Sequence, residues 1–252
     1  MGLILGKQNM FIVTVPFYNV EKYIERCIMS IKRQTYTNFV CILTDDKSVD
    51  KSLKIAKDIT DNDPRFIIVD NKYRKDVMEN TVNAIKIANP HDEDVIVTID
   101  GDDWLASEEV FQKVSTKYFE KDILMTYGNY QIYPSGQKGH CSQHPEHIIK
   151  NNLYRKDSWR ASHLRTFKYK LWKNIKEEDL KHPDGSWMFP CADQTYMLPM
   201  LEMSGGKFHF FDETLYIYNR ETPLNADKGR AAKQLANEKI IRSRKPYKKI
   251  IF

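Results

Sequence analysis

The sequence predicts an α/β fold in which a mostly parallel sheet is flanked by helices. Short apolar segments alternate with segments of helical periodicity through the N-terminal part. The apolar segments are continuous rather than interrupted by polar residues, which is typical of parallel strands buried on both faces. There is no internal repeat and no linker rich in Gly and Ser, so the 252 residues are expected to form a single domain, 1–252.

The N-terminal part is predicted to contain four strands separated by three helices. Asn19, and then Ser48 or Asp50, can begin the first two helices because their side chains accept hydrogen bonds from free backbone N–H groups. The strands are predicted at Phe11–Val15, Val40–Leu43, Phe66–Asp70 and Val95–Ile99. The apolar residues with helical spacing are Ile24, Cys27, Ile28 and Ile31, then Leu53, Ala56 and Ile59 or Thr60, and then Met78, Val82 and Ile85.

The C-terminal part is less regular. A polar, His-rich loop is expected at Gly136–Arg155. A basic helix or frayed end is expected from Lys228. Strands are predicted at Ile123–Tyr127, Asn129–Tyr133, Lys207–Phe211 and Thr214–Tyr218, with a turn at Pro134–Gly136. Helices are predicted from Ser107, through Phe167, Leu171 and Ile175, and from about Asp193, where Pro199 must kink or shorten the helix.

Composition excludes several classes of protein. The net charge of +5 comes from dispersed Lys and Arg, which does not favour nucleic-acid binding. No stretch approaches the roughly 18 apolar residues of a membrane-spanning helix, and the N-terminus lacks a signal-peptide pattern. The four cysteines show no paired spacing, which indicates a reducing compartment. A cytoplasmic location is therefore expected.

Polar clusters come directly after three of the predicted strands. These are PFYN after the first strand, TDDKS after the second and DGDD after the fourth. In open sheets of this kind, ligands bind in a crevice beyond the carboxyl ends of the strands. The three clusters are therefore predicted to face one crevice.

The DGDD cluster places Asp100, Asp102 and Asp103 close together at a strand end. Clustered carboxylates are costly unless a cation or a proton relieves their repulsion, and a hard divalent cation prefers oxygen ligands. Gly101 allows a tight turn that can direct two of the carboxylates to the same space. The alternative is a solvated Asp-Gly turn before a helix N-terminus, where acidic residues are favourable.

The other two clusters carry groups that suit a nucleotide. Asp45 or Asp46 can accept a hydrogen bond from a nucleobase or a ribose, although capping of the next helix also explains acidic residues there. Tyr18 can stack on a base. The sequence has no G-x-G-x-x-G after the first strand and no G-x-x-x-x-G-K-[ST], which argues against a dinucleotide cofactor and excludes a P-loop.

Taken together, four segments resemble the family 2 glycosyltransferases of the GT-A fold. They are FIVTVPFYNVEKYIERCIMSI, CILTDDKSVDKS, VIVTIDGDDWL and CADQTYMLPMLEMSGG. The resemblance is strong over Phe11–Leu105 and patchier over Asp157–Asn219. It implies a half that binds a nucleotide-sugar (9–105), an acceptor-side half (106–225) and a basic C-terminal helix or tail (226–252).

The resemblance also implies roles for individual residues. Asp102 would be the principal ligand of Mn²⁺ or Mg²⁺, and Asp100 would reach the ribose or the metal. For Asp103, which the resemblance does not assign, we expect only a capping role in the segment that follows. Arg74 or Lys75, of which we favour Lys75, would contact the base or the diphosphate. The residues that would bind the nucleotide-sugar are Pro16, Phe17, Tyr18, Asp45, Asp46, Lys75, Asp100 and Gly101, with Asp45 on the base and Asp46 supporting it.

Asp193 matches the position of the family's catalytic base, and Ala192 replaces the Glu that usually precedes it. The alternative for Asp193 is a helix N-cap. The resemblance implies an inverting transfer, and the absence of Q-x-x-R-W favours transfer of a single sugar. The donor is expected to be a UDP-sugar, and the acceptor a glycan, a lipid-linked sugar or a protein.

Other polar residues have weaker patterns. The spacing of His140, Cys141, His144 and His147 is compatible with zinc, but a proline interrupts the run and no second Cys pair exists. His163 either approaches a phosphate or the acceptor or is a hydrogen-bonded structural histidine, and we favour the second. Trp187 is either a platform for a sugar or a core residue. Members of the resembled family often supply a late His as a further metal ligand, but the late strand here ends in YNRETP without a His, so the sequence gives no third protein ligand.

Two other functions compete with the transferase. A sugar-phosphate nucleotidyltransferase would carry a Gly-rich loop with Arg or Lys after the first strand, and PFYN is not such a loop. A non-catalytic carbohydrate- or nucleotide-binding protein on a degenerate transferase fold is favoured only by Ala192.

Overall fold

Eight strands form one sheet through the described residues of the computed structural model, which are 9–120, 122–222 and 229–251. In chain order the strands are β1 (Phe11–Phe17), β2 (Phe39–Asp45), β3 (Phe66–Asp70), β4 (Val95–Thr98), β5 (Trp104–Leu105), β6 (Met125–Tyr133), β7 (Arg165–Lys168) and β8 (Phe208–Asn219). Their spatial order is β3-β2-β1-β4-β7-β6-β8-β5.

The helices of the described residues cover this sheet. They are α1 (Ile24–Lys32), α2 (Ser52–Thr60), α3 (Asp76–Ala88), α4 (Val110–Glu120), α5 (Glu146–Lys150), α6 (Tyr169–Trp172), α7 (Ala192–Ser204) and α8 (Ala231–Ser243). None of the helices in these residues combines the length and the apolar character needed to span a bilayer. The four cysteines are buried and free.

The predicted parallel half is confirmed. β2 and β4 flank β1, both parallel to it, and β3 extends the sheet beyond β2. Alternate side chains of β1 enter different cores: Phe11 and Val13 pack on one side of the sheet, and Ile12 packs on the other. Because both faces are covered, every residue of β1 is buried, which explains the continuous apolar pattern in the sequence.

The parallel registers place the three polar clusters at one edge of the sheet. Phe17 at the end of β1 pairs with Asp45 at the end of β2, and Thr14 pairs with Thr98 at the end of β4. The segments that come after these strands therefore leave the sheet on the same side. This confirms that PFYN, TDDKS and DGDD converge.

The predicted helix through Phe167, Leu171 and Ile175 is wrong. Phe167 belongs to β7, which lies antiparallel between β4 and β6. Of the residues that follow β7 in the predicted helix, only those of α6, Tyr169–Trp172, are helical. The helical spacing of these apolar residues arises because a strand and a single helical turn bury them in the same core. β7 is a central strand that pairs with residues distant in the chain, and local periodicity cannot reveal such pairing.

Three other predictions in this half also need correction. The two strand pairs predicted at residues 123–133 and 207–218 are single strands, β6 and β8, with a register shift at Gly128/Asn129. The loop predicted at Gly136–Arg155 contains α5. α7 continues past Pro199 to Ser204, so the proline does not shorten it.

The C-terminal residues pack on α7. Lys228 lies outside the described residues, but α8 confirms a helix in the tail. A buried ion pair joins Arg155 to Glu202 of α7 at 2.7 Å, and the Tyr247 N–H donates to the same carboxylate at 2.9 Å. The Ile250 N–H donates to the Met203 carbonyl at 3.0 Å. The tail therefore holds the helix at whose start the predicted base lies.

Candidate functional site

A cleft of about 540 Å³ lies beyond the carboxyl ends of β1, β2 and β4. The start of α3, parts of β6, β7 and β8, and the first turns of α7 and α8 also contribute lining residues. The predicted substrate and metal residues that line it are Pro16, Phe17, Tyr18, Asp46, Asp100, Gly101, Asp102 and Asp193. The structure therefore joins the three polar clusters to Asp193, which is distant from them in the sequence.

Asp46 and Tyr18 form one end of the cleft together with Arg74. The Arg74 guanidinium lies 3.5 Å from the centroid of the Tyr18 ring, and its Nε donates to Asp46 Oδ2 at 2.7 Å. The Asp46 carboxylate also accepts the backbone N–H groups of Lys75 at 2.7 Å and Asp76 at 3.2 Å. An aromatic face, a carboxylate and a cation are thus held together at the start of α3.

Two predicted nucleotide contacts, Asp45 and Lys75, do not line the cleft. The buried Asp45 carboxylate accepts the Ser48 N–H at 3.1 Å, so it stabilises the loop after β2. The Lys75 ammonium lies 3.9 Å from the Glu79 carboxylate. The geometry favours Asp46 over Asp45 and Arg74 over Lys75, because only the first residue of each pair lines the cleft.

The last strand of the chain, β8, holds the acidic loop Asp100–Asp103. The Tyr216 hydroxyl donates to Asp103 Oδ2 at 2.8 Å and accepts the Asp100 N–H at 3.0 Å. The Asn219 N–H donates to Asp103 Oδ1 at 2.7 Å. The expectation that Asp103 only caps the next helix is wrong: it is fully buried, and α4 begins only at Val110.

Gly101 brings this loop against β1. Its N–H donates to the Pro16 carbonyl at 3.1 Å, and a Cβ at this position would lie 2.4 Å from the Phe17 Cβ. Gly101 is therefore required for close approach between the two segments. The sequence had indicated only a tight turn.

Replacing Gly101 by alanine is expected to lower the free energy of unfolding by about 1–3 kcal/mol, because the added methyl group must displace β1. The displacement should also weaken nucleotide binding, since Phe17 lines the cleft. Urea denaturation measures the first effect and titration with nucleotide the second. Gly128→Ala is the control, because its Cβ would meet no atom closer than 3.4 Å. Equal losses in the two variants would contradict the explanation.

The carboxylates of the acidic loop disfavour one another's charge. Burial, together with the charge of Asp100, raises the pKa of Asp102 to about 7. Burial likewise raises the pKa of Asp100, although Arg165 opposes the shift. The pKa of Asp103 is raised by burial and by the other two carboxylates. A cation bound among them would relieve this repulsion.

The residues present fit a divalent cation. Asp100, Asp103 and His163 offer ligand atoms that lie within 4.8 Å of one another, the single group of this kind in residues 9–120, 122–222 and 229–251. His163 is buried, its ring stacks on that of Tyr216 with the centroids 4.4 Å apart, and its Nδ1 has no hydrogen-bond partner among those residues. The predicted structural role does not account for this nitrogen, which is available for a ligand. Burial, Arg165 and His140 keep its pKa well below the usual value, so the imidazole is neutral and suited to a metal.

Asp102 lines the same cleft but is not a member of that group. Carboxylate oxygens with one imidazole nitrogen suit Mn²⁺, whereas Mg²⁺ prefers oxygen ligands alone. His163 therefore offers the further protein ligand for which the sequence supplied no candidate.

Asp193 lies in the first turn of α7, where the helix dipole favours a carboxylate. The N-cap residue is Cys191, so the capping alternative does not describe Asp193. α8 holds this segment, since the Asn237 amide donates to the Pro190 carbonyl at 2.8 Å. The Asp193 side chain is 27% exposed and faces the cleft, where a bound hydroxyl group can reach it.

Arg165 of β7 is a cleft residue that the sequence did not indicate. Its Nη1 lies 3.4 Å from Asp193 Oδ2, its Nη2 lies 3.6 Å from Asp100 Oδ2, and its Nε donates to Thr98 Oγ1 at 3.3 Å. Burial opposes its charge, but Tyr196 and the two carboxylates raise its pKa, so it remains protonated. The strand β7 that carries Arg165 was not predicted, and no motif in the sequence marked this residue.

The residues considered for zinc do not form a cluster of metal ligands within the described ranges. His144 is buried, and its Nδ1 lies 3.2 Å from Asp157 Oδ2. His140 Nδ1 lies 3.1 Å from the Tyr130 hydroxyl. His147 is exposed. The His-rich segment therefore packs as part of the fold rather than around a metal.

Burial lowers the pKa of His144 from 6.5 to about 4, despite the opposing effect of Asp157. The unfolded chain therefore takes up a proton at this residue between pH 6.5 and 4, whereas the folded chain does not. This contribution to stability is complete above pH 6.5 and should fall by roughly 2–3 kcal/mol as the pH drops to 4.5.

Urea denaturation at pH 7.0 and 4.5 tests this expectation. Between these two pH values the free energy of unfolding of His144→Gln should fall by roughly 2–3 kcal/mol less than that of the wild type. The comparison is made between variants because His163, also buried with a lowered pKa, contributes to the wild-type slope. If the free energy of unfolding depends on pH equally in the two proteins, the assignment of this effect to His144 is contradicted.

The tryptophan at the cleft is not the one proposed from the sequence. Trp187 packs against the core, and the Lys181 ammonium lies 4.6 Å from its ring. It does not line the cleft, whereas Trp159 and Phe189 do. These two aromatic side chains, near Asp193, are the better candidates for contact with a sugar ring.

The family model described as "Glycosyl transferase family 2" matches residues 12–183. That range includes the three polar clusters and ends before Asp193. Among curated proteins, glycosyltransferase GlyA of Streptococcus pneumoniae is 24% identical over 216 residues, which are 82% of this chain and 30% of GlyA. The chain spans less than half the length of the first curated relatives that it matches.

Two solved glycosyltransferase structures share the fold. S. aureus TarS in complex with UDP-GlcNAc superposes with a TM-score of 0.59 at 16% identity, over 85% of this chain and 59% of TarS. The mannosyltransferase PcManGT of Pyrobaculum calidifontis, in complex with GDP-Man and Mn²⁺, superposes with a TM-score of 0.63 at 16% identity. The match covers 96% of this chain and 67% of PcManGT. These likenesses confirm the GT-A fold, and with the family match they show that the chain belongs to glycosyl transferase family 2.

Proposed function

We propose that this protein transfers one sugar from a nucleotide-sugar, with a UDP-sugar as the first candidate, to an acceptor hydroxyl group with inversion at the anomeric carbon. The acceptor is a glycan, a lipid-linked sugar or a protein. The observation that carries the proposal is the shared cleft. It is lined by the aromatic ring of Tyr18, the carboxylate of Asp46, the acidic loop and the carboxylate of Asp193.

Asp193 is proposed as the base. Its carboxylate accepts the proton of the acceptor hydroxyl group while the hydroxyl oxygen bonds to the anomeric carbon. On the opposite face, the bond from the anomeric carbon to the diphosphate oxygen breaks, and its electron pair leaves with the nucleoside diphosphate. An inverting glycosidase pairs such a base with an acid that protonates the leaving group. A diphosphate leaving group whose charge a cation neutralises does not need that proton, so one base is sufficient here.

The acidic loop is proposed to hold Mn²⁺ or Mg²⁺ through Asp102 and Asp100, with Asp103 and His163 beside them. When bound, the ion supplies positive charge to the diphosphate leaving group. Tyr216 holds the backbone of the loop at Asp100, and Asn219 holds the Asp103 carboxylate, so the loop is positioned by the fold itself. Prepositioned charges of this kind cost little reorganisation during the reaction.

The nucleotide is proposed to bind between Tyr18 and the loop after β2. The Arg74 guanidinium covers one face of the Tyr18 ring, and the base would pack on the other face. Asp46, which Arg74 orients, would accept an N–H group of the base. A UDP-sugar is the first candidate because TarS was solved with UDP-GlcNAc. PcManGT with GDP-Man makes a guanine nucleotide the alternative to be compared.

Calorimetric titration with UDP and GDP, each with and without Mn²⁺, tests the proposal. It is followed by incubation with UDP-glucose, UDP-galactose, UDP-GlcNAc and GDP-mannose, and release of the nucleoside diphosphate is measured. We expect Mn²⁺-dependent binding of one nucleotide and slow release from its sugar conjugate, with water as acceptor. Tight binding without release would favour a non-catalytic nucleotide-binding protein, and no binding of either nucleotide would refute the proposal.

A further inference from the structure

Arg165 occupies a special position in the cleft. Its side chain is 6% exposed and lies between two carboxylates that come from different parts of the chain. Asp100 comes after β4, and Asp193 lies at the start of α7. The third contact, from Nε to Thr98 Oγ1, ties the guanidinium to β4, and the Thr98 hydroxyl lies 3.3 Å from the Tyr196 hydroxyl of α7. The side chain is therefore anchored on both sides.

We propose that Arg165 is a positioning residue that sets the distance between the base Asp193 and the donor-side carboxylate Asp100 by contacting both with one guanidinium. The inference rests on the proposed function, because it assigns Asp193 the role of base. It adds a residue that neither the family resemblance nor the sequence pattern supplied.

The two contacts are loose enough to leave both carboxylates available. Charge-assisted hydrogen bonds of Arg to a carboxylate are usually about 2.7–2.9 Å long. Here the distances are 3.4 Å to Asp193 and 3.6 Å to Asp100. Both carboxylates remain partly exposed to the cleft, 27% and 32%. Arg165 thus contacts both carboxylates and leaves each of them partly exposed to substrate and cation.

The geometry requires arginine rather than lysine. A guanidinium is planar and presents its N–H groups in several fixed directions, so one side chain can contact Thr98, Asp100 and Asp193 at once. A lysine ammonium is a single point charge and cannot occupy two such places. Removing the cation altogether would leave two partly buried carboxylates to repel each other, which would displace the Asp193 side chain from the acidic loop.

The consequence concerns the two substrates. The donor is held on the Asp100 side, and the acceptor hydroxyl group is bound on the Asp193 side. A displacement of about 1 Å between reacting groups can cost on the order of 100-fold in rate. Through Arg165, the base is placed relative to the same carboxylate loop that binds the donor.

The test compares Arg165→Gln, Arg165→Lys, Asp193→Asn and the double variant Arg165→Gln/Asp193→Asn. Lys168→Gln is the matched control, because Lys168 is a buried cation of the same strand whose partner, Glu93, lies outside the cleft. The activity measured is Mn²⁺-dependent release of nucleoside diphosphate from UDP-glucose, UDP-galactose, UDP-GlcNAc and GDP-mannose. Nucleotide affinity and the melting temperature are measured in parallel.

We expect Arg165→Gln to slow release by on the order of 100-fold while nucleotide affinity changes by less than about 10-fold. Arg165→Lys should recover part of the rate, and Lys168→Gln should match the wild type. In the Asp193→Asn background, Arg165→Gln should lower the rate of release by less than about 3-fold, because the effects of substitutions in residues that act as a unit are not additive. A purely structural role would instead slow both backgrounds equally.

The two proposals can fail separately. If the wild type and Asp193→Asn release nucleotide equally, or neither releases any, the proposed function is wrong and the inference falls with it. If Asp193→Asn is inactive but Arg165→Gln keeps the wild-type rate, or if the two losses multiply, only the inference is wrong. If Arg165→Gln does not fold, the same criteria are applied to Arg165→Lys and to its combination with Asp193→Asn.

Discussion

Replacement of Asp193 by asparagine is expected to slow sugar transfer, or donor hydrolysis, by about 1,000-fold, within the range that general-base catalysis contributes. Asparagine keeps the shape of the side chain but cannot accept the proton of the attacking hydroxyl group. Nucleotide affinity should be unchanged, because Asp193 lies on α7, across the cleft from Tyr18 and Asp46.

The measurement pairs the rate of nucleoside diphosphate release with calorimetric titration of the nucleotide. Asp184→Asn serves as the control, since Asp184 is an exposed acid that does not line the cleft. A rate for Asp193→Asn within about 3-fold of the wild type would exclude Asp193 as the base, because that loss is far below what a catalytic base contributes.

Replacement of Asp102 by asparagine is expected to abolish transfer and also to remove the Mn²⁺-dependent part of nucleotide binding, a loss of about 100-fold or more in affinity. A neutral amide is a weaker ligand for a hard divalent cation than a carboxylate. Asp102 is half-buried, and its backbone carbonyl rather than its carboxylate accepts the Asn219 amide. The folded structure should therefore keep its stability.

Asp103→Asn provides the contrast. Asp103 is fully buried and accepts hydrogen bonds from Tyr216 and Asn219, so its replacement should destabilise the protein by about 1–3 kcal/mol. Titration with UDP and Mn²⁺ and urea denaturation together separate the two residues. If Asp103→Asn loses Mn²⁺-dependent binding at unchanged stability while Asp102→Asn keeps it, the principal metal ligand is Asp103.

The comparison of Asp102 with Asp103 illustrates a limit of sequence patterns. Both are acidic residues of one short segment, and the pattern cannot say which carboxylate faces the cleft. The answer depends on β8, more than a hundred residues away, whose Tyr216 and Asn219 bind one carboxylate of the segment and not its neighbour. The same applies to Asp45 and Asp46, which Ser48 and Arg74 direct to different sides.

The sequence by itself determined the parallel half of the sheet and the convergence of its three polar clusters. Apolar runs and helical spacing are local properties, and parallel strands joined by helices necessarily end at one edge. Only the tertiary structure decided the other wall of the cleft. Arg165 and His163 lie at or beside β7, and the role of β7 is set by its antiparallel pairing between β4 and β6. Such long-range pairing brings distant charges together, and no local spacing of residues encodes it.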